Sequence, residues 1–357
     1  MSPESVNRER RIKWVDLARS VAITCVVLCH AIEHTYQLTP QALTTMSDSS
    51  KLIALTGFSI GRLGVPLFLF ITGYLLLDRQ YDSKKCITFW KQKWLPLLAC
   101  SEAWILIYNA FLAFQGFTIQ PQDLIKQMLF LESVEMGHFW YIPMILGVYL
   151  FIPIIAMGLQ KLSWKTVAIP TVLLFGFAFV VPVINVCFKA LNIEPLIVQI
   201  DFGYSGAVCG IYVLVGWMVK KGALQHTRRS VLAICGLAFL ACLIGLQAWT
   251  PYTGKGYTVW YNDALLFCAG LALFGFISHA KTVPFYAFFK SIARYSFPIF
   301  LIHLMIMLPL NAQIAPLHVP HIIKASILFF AGFGISYVIA RLVELIPVVG
   351  KRILYLK

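Results

Sequence analysis

The chain reads as all-α, a polytopic membrane helix bundle of about ten transmembrane helices with both termini cytoplasmic. Three observations carry that reading. Of 357 residues, 59% are hydrophobic and only 12% charged, with a mean hydropathy of +0.79, whereas a soluble domain carries about 25% charged residues. Apolar runs near spanning length recur along the whole sequence. Lysine and arginine gather in alternate connecting segments.

The runs fall at about 14–32, 53–77, 94–114, 139–157, 167–188, 203–219, 231–249, 260–278, 295–312 and 322–346. The first carries internal charges and no small-residue cleavage site, so it is a retained helix and not a removed signal peptide. In the second, Gly61, Gly64 and Gly73 allow close helix contact, and Pro66 frees a backbone carbonyl. Trp140 and Tyr141 open the fourth run at a boundary position where interfacial aromatics are ordinary. The apolar patch Met128–Leu131, inside the longest loop, is a candidate re-entrant piece.

An even number of spans puts both termini on one side. With the N-terminus inside, the inner segments hold Arg8, Arg10, Arg11 and Lys13, then Arg79, Lys84, Lys85, Lys91 and Lys93, then Lys161 and Lys165, Lys220, Lys221, Arg228 and Arg229, Lys281, Lys290 and Arg294, and finally Lys351, Arg352 and Lys357. The outer segments hold only Lys51, Lys126, Lys189, Lys255 and Lys324. The net charge of +14 therefore sets orientation and attraction to a lipid surface, and does not point to nucleic acid. Residues 1–357 form a single membrane domain without internal repeats. The nine cysteines show neither CxxC nor a Cys/His metal spacing; they read as small buried apolar residues, and no metal site is expected.

Ionisable residues at membrane depth mark the function. Arg19 and His30 stand eleven positions apart in the first run, which at 100° per residue returns to within about 20° of the same face. Asp16 and Glu33 lie within roughly 60° of Arg19. A charge at the centre of a spanning helix costs about 2.5–3.5 kcal/mol even on lenient scales, so this stripe must face protein or water. The bland alternatives are an Asp16–Arg19 pair that snorkels to the interface and a structural His30. Arg62 lies about ten residues into the second run, roughly 15 Å below the outer surface and near the midplane, where snorkelling is difficult, whereas His30 lies about 24 Å along its helix from Trp14 and so nearer the outside; Arg62 suits a buried anion or carbonyl site. His138, Trp140 and Tyr141 suit an outer-mouth site that stacks on a sugar. His303 is read as a donor to a carbonyl freed by Pro298. Glu102 and Asp263 are candidate partners for intramembrane cations, and Arg341 and Glu344 are expected to pair.

These residues carry a resemblance that spans nearly the whole chain. Asp16, Arg19 and His30 resemble the first-helix signature of the acyltransferase family 3 membrane proteins, an aspartate and arginine with a histidine following the arginine after ten residues. Arg62 through Tyr74 resembles the family's second-helix pattern, with Thr72 where serine is commoner. His138-Phe139-Trp140-Tyr141 with Tyr149 and Pro153 resembles its histidine-aromatic helix, and Ser296 to His303 its late motif. The resemblance implies a multi-pass enzyme of a cytoplasmic (inner) membrane, of the stand-alone type without a fused esterase-like domain. It would move an acyl group, usually acetyl, from cytosolic acetyl-CoA or another acyl-CoA to a hydroxyl of an extracytoplasmic glycan or glycolipid, with no permanently bound cofactor.

On that basis, CoA phosphates are expected at an inner mouth formed by Lys84, Lys85, Lys91, Lys93, Arg228 and Arg229, with Arg19 marking the entrance and Asp16 orienting it. Arg62 would hold the thioester carbonyl and stabilise the oxyanion. His30 would act as general base, with Glu33 fixing its tautomer or contacting the acceptor. Direct attack and an acyl-histidine relay both remain open. The rival reading from another class is a secondary transporter or lipid/sugar flippase that uses the same Arg, His and Asp residues.

Overall fold

The computed structural model describes residues 11–198 and 208–356. Arg8, Arg10, Lys357 and the start of the 203–219 run lie outside the described residues. In chain order the main helices are α1 (Lys13–Thr35), α2 (Asp48–Arg62), α3 (Gly64–Leu76), α4 (Ser83–Phe114), α5 (Pro121–Met128), α6 (Tyr141–Leu159), α7 (Trp164–Ala190), α8 (Val208–Lys220), α9 (Arg229–Trp249), α10 (Ala264–Ser278), α11 (Tyr286–Ile314) and α12 (His321–Glu344). Among the described residues, eight stretches are long and apolar enough to cross a membrane, counting α2 and α3 as one, and α8 and α10 are shorter apolar helices. Together they correspond to the ten runs. Arg11 and Leu356 line one cavity, so the two described chain ends share one end of the bundle.

Several runs depart from simple helices for local reasons. The 53–77 run breaks at Leu63. Pro66 has no N–H to offer the Arg62 carbonyl four residues back, and Leu63 N–H instead bonds Ile60 O at 3.1 Å. In α4 and α7, wide i→i+5 turns at Trp90–Trp94 and Gly176–Val180 precede Pro96 and Pro182, absorbing the missing donors. The 260–278 run becomes helical only at Ala264, because Asp263 caps it by accepting from Leu266 N–H at 2.9 Å. Trp260 and Tyr261 therefore sit on non-helical chain before α10. The Met128–Leu131 patch ends the short α5, where Leu129 and Leu131 are exposed while Gln127 accepts from Asn109 Nδ2 at 2.7 Å and docks α5 onto α4.

α1 is the axis of the bundle, packed against α2, α3, α10, α11 and α12. Its apolar window is 67% buried, against 17% for α7 and for α9, whose outward aliphatic side chains suit lipid. The charges of α1 are thus wrapped in protein. Five of the nine cysteines are buried, but Cys235 and Cys242 face outward from α9, so the expectation of burial does not hold for them; a thiol is apolar enough to face lipid tails.

Glycines set how closely the inner helices approach. A Cβ on Gly61 would stand 2.6 Å from the Cys29 backbone, and one on Gly73 only 1.7 Å from Val213 O, where α3 crosses α8. Gly147 on α6 faces open space. Gly73→Ala is expected to lose about 1–3 kcal/mol of stability through overpacking, whereas Gly147→Ala should be neutral or stabilising by up to about 1 kcal/mol. Melting temperatures in detergent check the contrast, and equal shifts would contradict it.

Candidate functional site

The polar face of α1 runs along three connected cavities. At the end bearing the termini, a mouth of about 940 Å³ is lined by Arg11, Arg19, Arg79, Lys220 and Arg294, with Asp16 and Asp78 the carboxylates among its walls. Cations outnumber anions there. Asp16 is buried and accepts from Arg11 Nε at 2.6 Å and from Tyr286 OH at 2.7 Å, so it does not pair with Arg19. Three residues along one helix would permit such a pair, but Arg11 and Tyr286 reach the carboxylate from outside α1. Arg19 instead points its half-buried side chain between this mouth and the next cavity, lining both.

The second cavity, about 350 Å³, is a shaft leading inward from Arg19, Arg79, Lys93 and Arg294, past Val26, Val65, Leu97, Ile145 and Phe297. Tyr355 lines both mouth and shaft; its hydroxyl donates to Lys93 O at 3.0 Å, and burial pushes its phenol above the ordinary tyrosine range, so it stays a neutral donor.

Val26, Val65, Tyr141 and Phe300 line the shaft and also a third, small cavity of about 20 Å³. Around this last space stand His30, Arg62, His138, Trp140, Tyr141 and Tyr261. Gly61 against Cys29 and Gly64 against Val26 fix α2 and α3 on α1, so Arg62 sits within about one helical turn of His30. The separation of several ångströms in depth expected from each helix alone is therefore compressed. Arg62 is 7% exposed. Its guanidinium lies 4.7 Å from the Phe58 ring centroid and 5.2 Å from that of Trp260, and Nη1 donates to Tyr261 OH at 3.3 Å. Its Nε–H is buried without an acceptor.

His30 Nδ1 lies 3.2 Å from Glu33 Oε2. A carboxylate accepts only, so Nδ1 carries the hydrogen and Nε2 presents a lone pair. His30 is 17% and Glu33 43% exposed, which opens this pair toward the end opposite the termini. Nearby, Trp140 and Trp260 stand 5.2 Å apart, and Trp260 borders a cavity of about 780 Å³ that also presents Asn185, Glu194, Lys255 and Asn262.

Other expected residues are placed elsewhere. Lys84, Lys85, Lys91, Arg228 and Arg229 lie outside the lining of mouth and shaft: Lys85 pairs with Asp82 at 3.6 Å, and Arg229 lies over Phe276 at 4.1 Å. His138 is 1% exposed and belongs to the inner cavity, not to an outer rim. His303 Nδ1 donates to Phe300 O at 2.7 Å and Ile299 O at 3.1 Å; Pro298 frees the carbonyl of Arg294, which is a different group. Glu102 has a buried oxygen without a partner, and Asp263 caps α10 and accepts from Tyr257, so neither neutralises an intramembrane cation. Glu344 takes Arg294 and Tyr295 in place of Arg341, since α11 lies against α12 there. Sequence reasoning counted Arg11, Arg79, Lys220 and Arg294 among the inner basic segments without assigning them to the site, and gave no signal for Tyr108, Trp260 or Tyr261.

A family profile described as an acyltransferase domain matches residues 12–341. Searches of curated proteins and of solved structures each return no match.

Tyr261 OH accepts from the Arg62 guanidinium, so Tyr261→Phe should cost about 1.5–3 kcal/mol, the range for a hydrogen bond to a charged group. Tyr212→Phe, which removes a neutral bond of 2.9 Å to Tyr261 O, should cost about 1 kcal/mol. Thermal denaturation of the two variants compares them, and a smaller loss for Tyr261→Phe would contradict the assignment.

Proposed function

Because the chain belongs to the acyltransferase family matched over residues 12–341, it is a membrane acyltransferase, and we propose that it moves an acetyl group from cytosolic acetyl-CoA to a hydroxyl of an extracytoplasmic glycan or glycolipid. The observation that supports this most is the series of cavities that share walls, from a cationic mouth at the terminal end to a histidine–arginine centre that borders the other end through His30 and Glu33. The lysine- and arginine-rich segments on the side of the termini support a cytosolic mouth.

In this reading the phosphates of CoA rest on Arg11, Arg19, Arg79, Lys220 and Arg294, where planar guanidinium forks match phosphate oxygens. The pantetheine arm fills the shaft, whose aliphatic walls suit its methylenes and whose polar side chains, among them Thr72, Tyr149 and Ser296, suit its amides. The thioester carbonyl then meets Arg62, whose unpaired Nε–H is a ready donor for the oxyanion. The acceptor arrives from the opposite end along Trp140 and Trp260, beside amide and carboxylate side chains that suit sugar hydroxyls. His30 Nε2 takes the hydroxyl proton while Glu33 holds Nδ1–H. The oxygen attacks the carbonyl carbon, the C–S bond breaks, and CoA departs through the shaft. This layout favours direct attack, since the lone pair of His30 is poised for a proton and its other nitrogen is tied to a carboxylate.

Three substitutions test the roles with acetyl-CoA as donor and octyl glucoside as hydroxyl acceptor. His30→Ala should abolish transfer yet keep the thermal shift given by CoA. Glu33→Gln should lower kcat by about 10²-fold or more, because the amide no longer enforces the tautomer. Arg62→Lys should lose most activity, since a point charge does not replace the fork. Normal kinetics in His30→Ala would remove the base from this account, and the absence of any CoA-induced thermal shift in the wild type would remove the donor.

A further inference from the structure

His303 has no part in the reaction as drawn above, and neither has the free nitrogen of His138. Both are fully enclosed, and their rings stand 5.0 Å apart between centroids, with His30 5.2 Å from His303 and 6.3 Å from His138. Hydrogen bonds fix each tautomer. Tyr108 OH donates to Leu301 O at 2.7 Å and is left to accept from His138 Nε2–H at 3.2 Å, so His138 Nδ1 bears a lone pair. His303 gives its Nδ1–H to Phe300 O and Ile299 O, so Nε2 bears a lone pair. His138 Nδ1 and His303 Nε2 are both buried without a partner. Each of these two imine nitrogens is thus enclosed without a donor, and a buried polar atom left unpaired costs about 1–3 kcal/mol.

We propose that the unpartnered nitrogens of His138 and His303 take up the proton that His30 removes from the acceptor, and that His138 returns it to the departing thiolate. The proposal rests on the acyl-transfer reading. As the acceptor O–H breaks, its proton passes to His30 Nε2. The new O–C bond forms at the acyl carbon, and the C–S bond breaks with its electron pair on sulfur. The proton moves from His30 to the His138–His303 pair, and His138, which lines the cavity beside Arg62, delivers it to sulfur. Hydroxyl and thioester thereby become ester and thiol, and the three imidazoles end as they began. The ionisable groups around the pair are His30, Glu33 and His34 on α1, Arg62 on α2, Tyr108 on α4 and Tyr141 on α6. His303 acts through His138 and touches no reacting atom.

His303→Gln keeps an N–H for Phe300 O but cannot carry the proton. With acetyl-CoA and octyl glucoside, kcat should fall about a hundredfold while KM for acetyl-CoA stays within about twofold, the signature of a step after binding. The acid limb of the kcat–pH profile should move to lower pH, because a cluster with one imine fewer holds its proton less tightly. Wild-type kcat or an unmoved acid limb in the folded variant overturns the proposal. If the variant does not fold, a proton inventory on the wild type decides: a curved dependence on deuterium fraction is expected, and a linear one overturns the relay. A wild type that releases no CoA under these conditions refutes acyl transfer itself, whereas turnover with unchanged His303→Gln kinetics refutes only the relay.

Discussion

Arg62 must be kept charged inside a membrane, and most of the architecture follows from that requirement. Its guanidinium cannot reach either surface, so it needs protein on every side: Phe58, Trp260 and Tyr261 supply ring faces and one hydroxyl. Bringing those groups together requires α2 to lie hard against α1, which Gly61 permits, and α10 to start late, which Asp263 enforces. The break at Leu63 belongs to the same solution, since Pro66 leaves the carbonyl of Arg62 without a helical donor. One buried cation therefore accounts for a glycine contact, a cap and a helix break in three different segments.

The same enclosure supports chemistry. A low-dielectric centre strengthens each hydrogen bond made there and penalises each one left unmade. Arg62 Nε–H lacks an acceptor, while His138 Nδ1 and His303 Nε2 lack donors. A carbonyl that gains negative charge and a hydroxyl that gives up a proton would supply both kinds of partner. Around this buried centre the molecule is open and cationic at one end and exposed through His30 and Glu33 at the other. In the acyl-transfer reading, a tethered thioester would reach this centre while its charged headgroup stays at the mouth.

Much of this was legible in the sequence because a helix records its own face and depth. The spacing of Arg19 and His30 gave one stripe, and that stripe borders the whole series of cavities. Ten apolar runs and the shared end of the termini were readable from length and charge. Offsets between helices were not, since they depend on which glycine meets which backbone; Arg62 and His30 thus came out as separate depths when they share one space. Partner choice failed for the same reason. Asp16 lies three residues from Arg19, but its ligands are Arg11 and Tyr286, and Glu344 turns to Arg294 and Tyr295 on the neighbouring helix. His138 looked like a rim residue because Trp and Tyr follow it, yet its hydrogen bond to Tyr108 draws it into the core.

The central claim is that donor and acceptor meet mid-membrane from opposite sides. It is tested most directly in sealed vesicles with the termini facing outward, labelled acetyl-CoA supplied outside and an oligosaccharide acceptor enclosed in the lumen. The expected result is label on the enclosed acceptor with free CoA released outside. Label transferred only when donor and acceptor share a compartment would contradict the account.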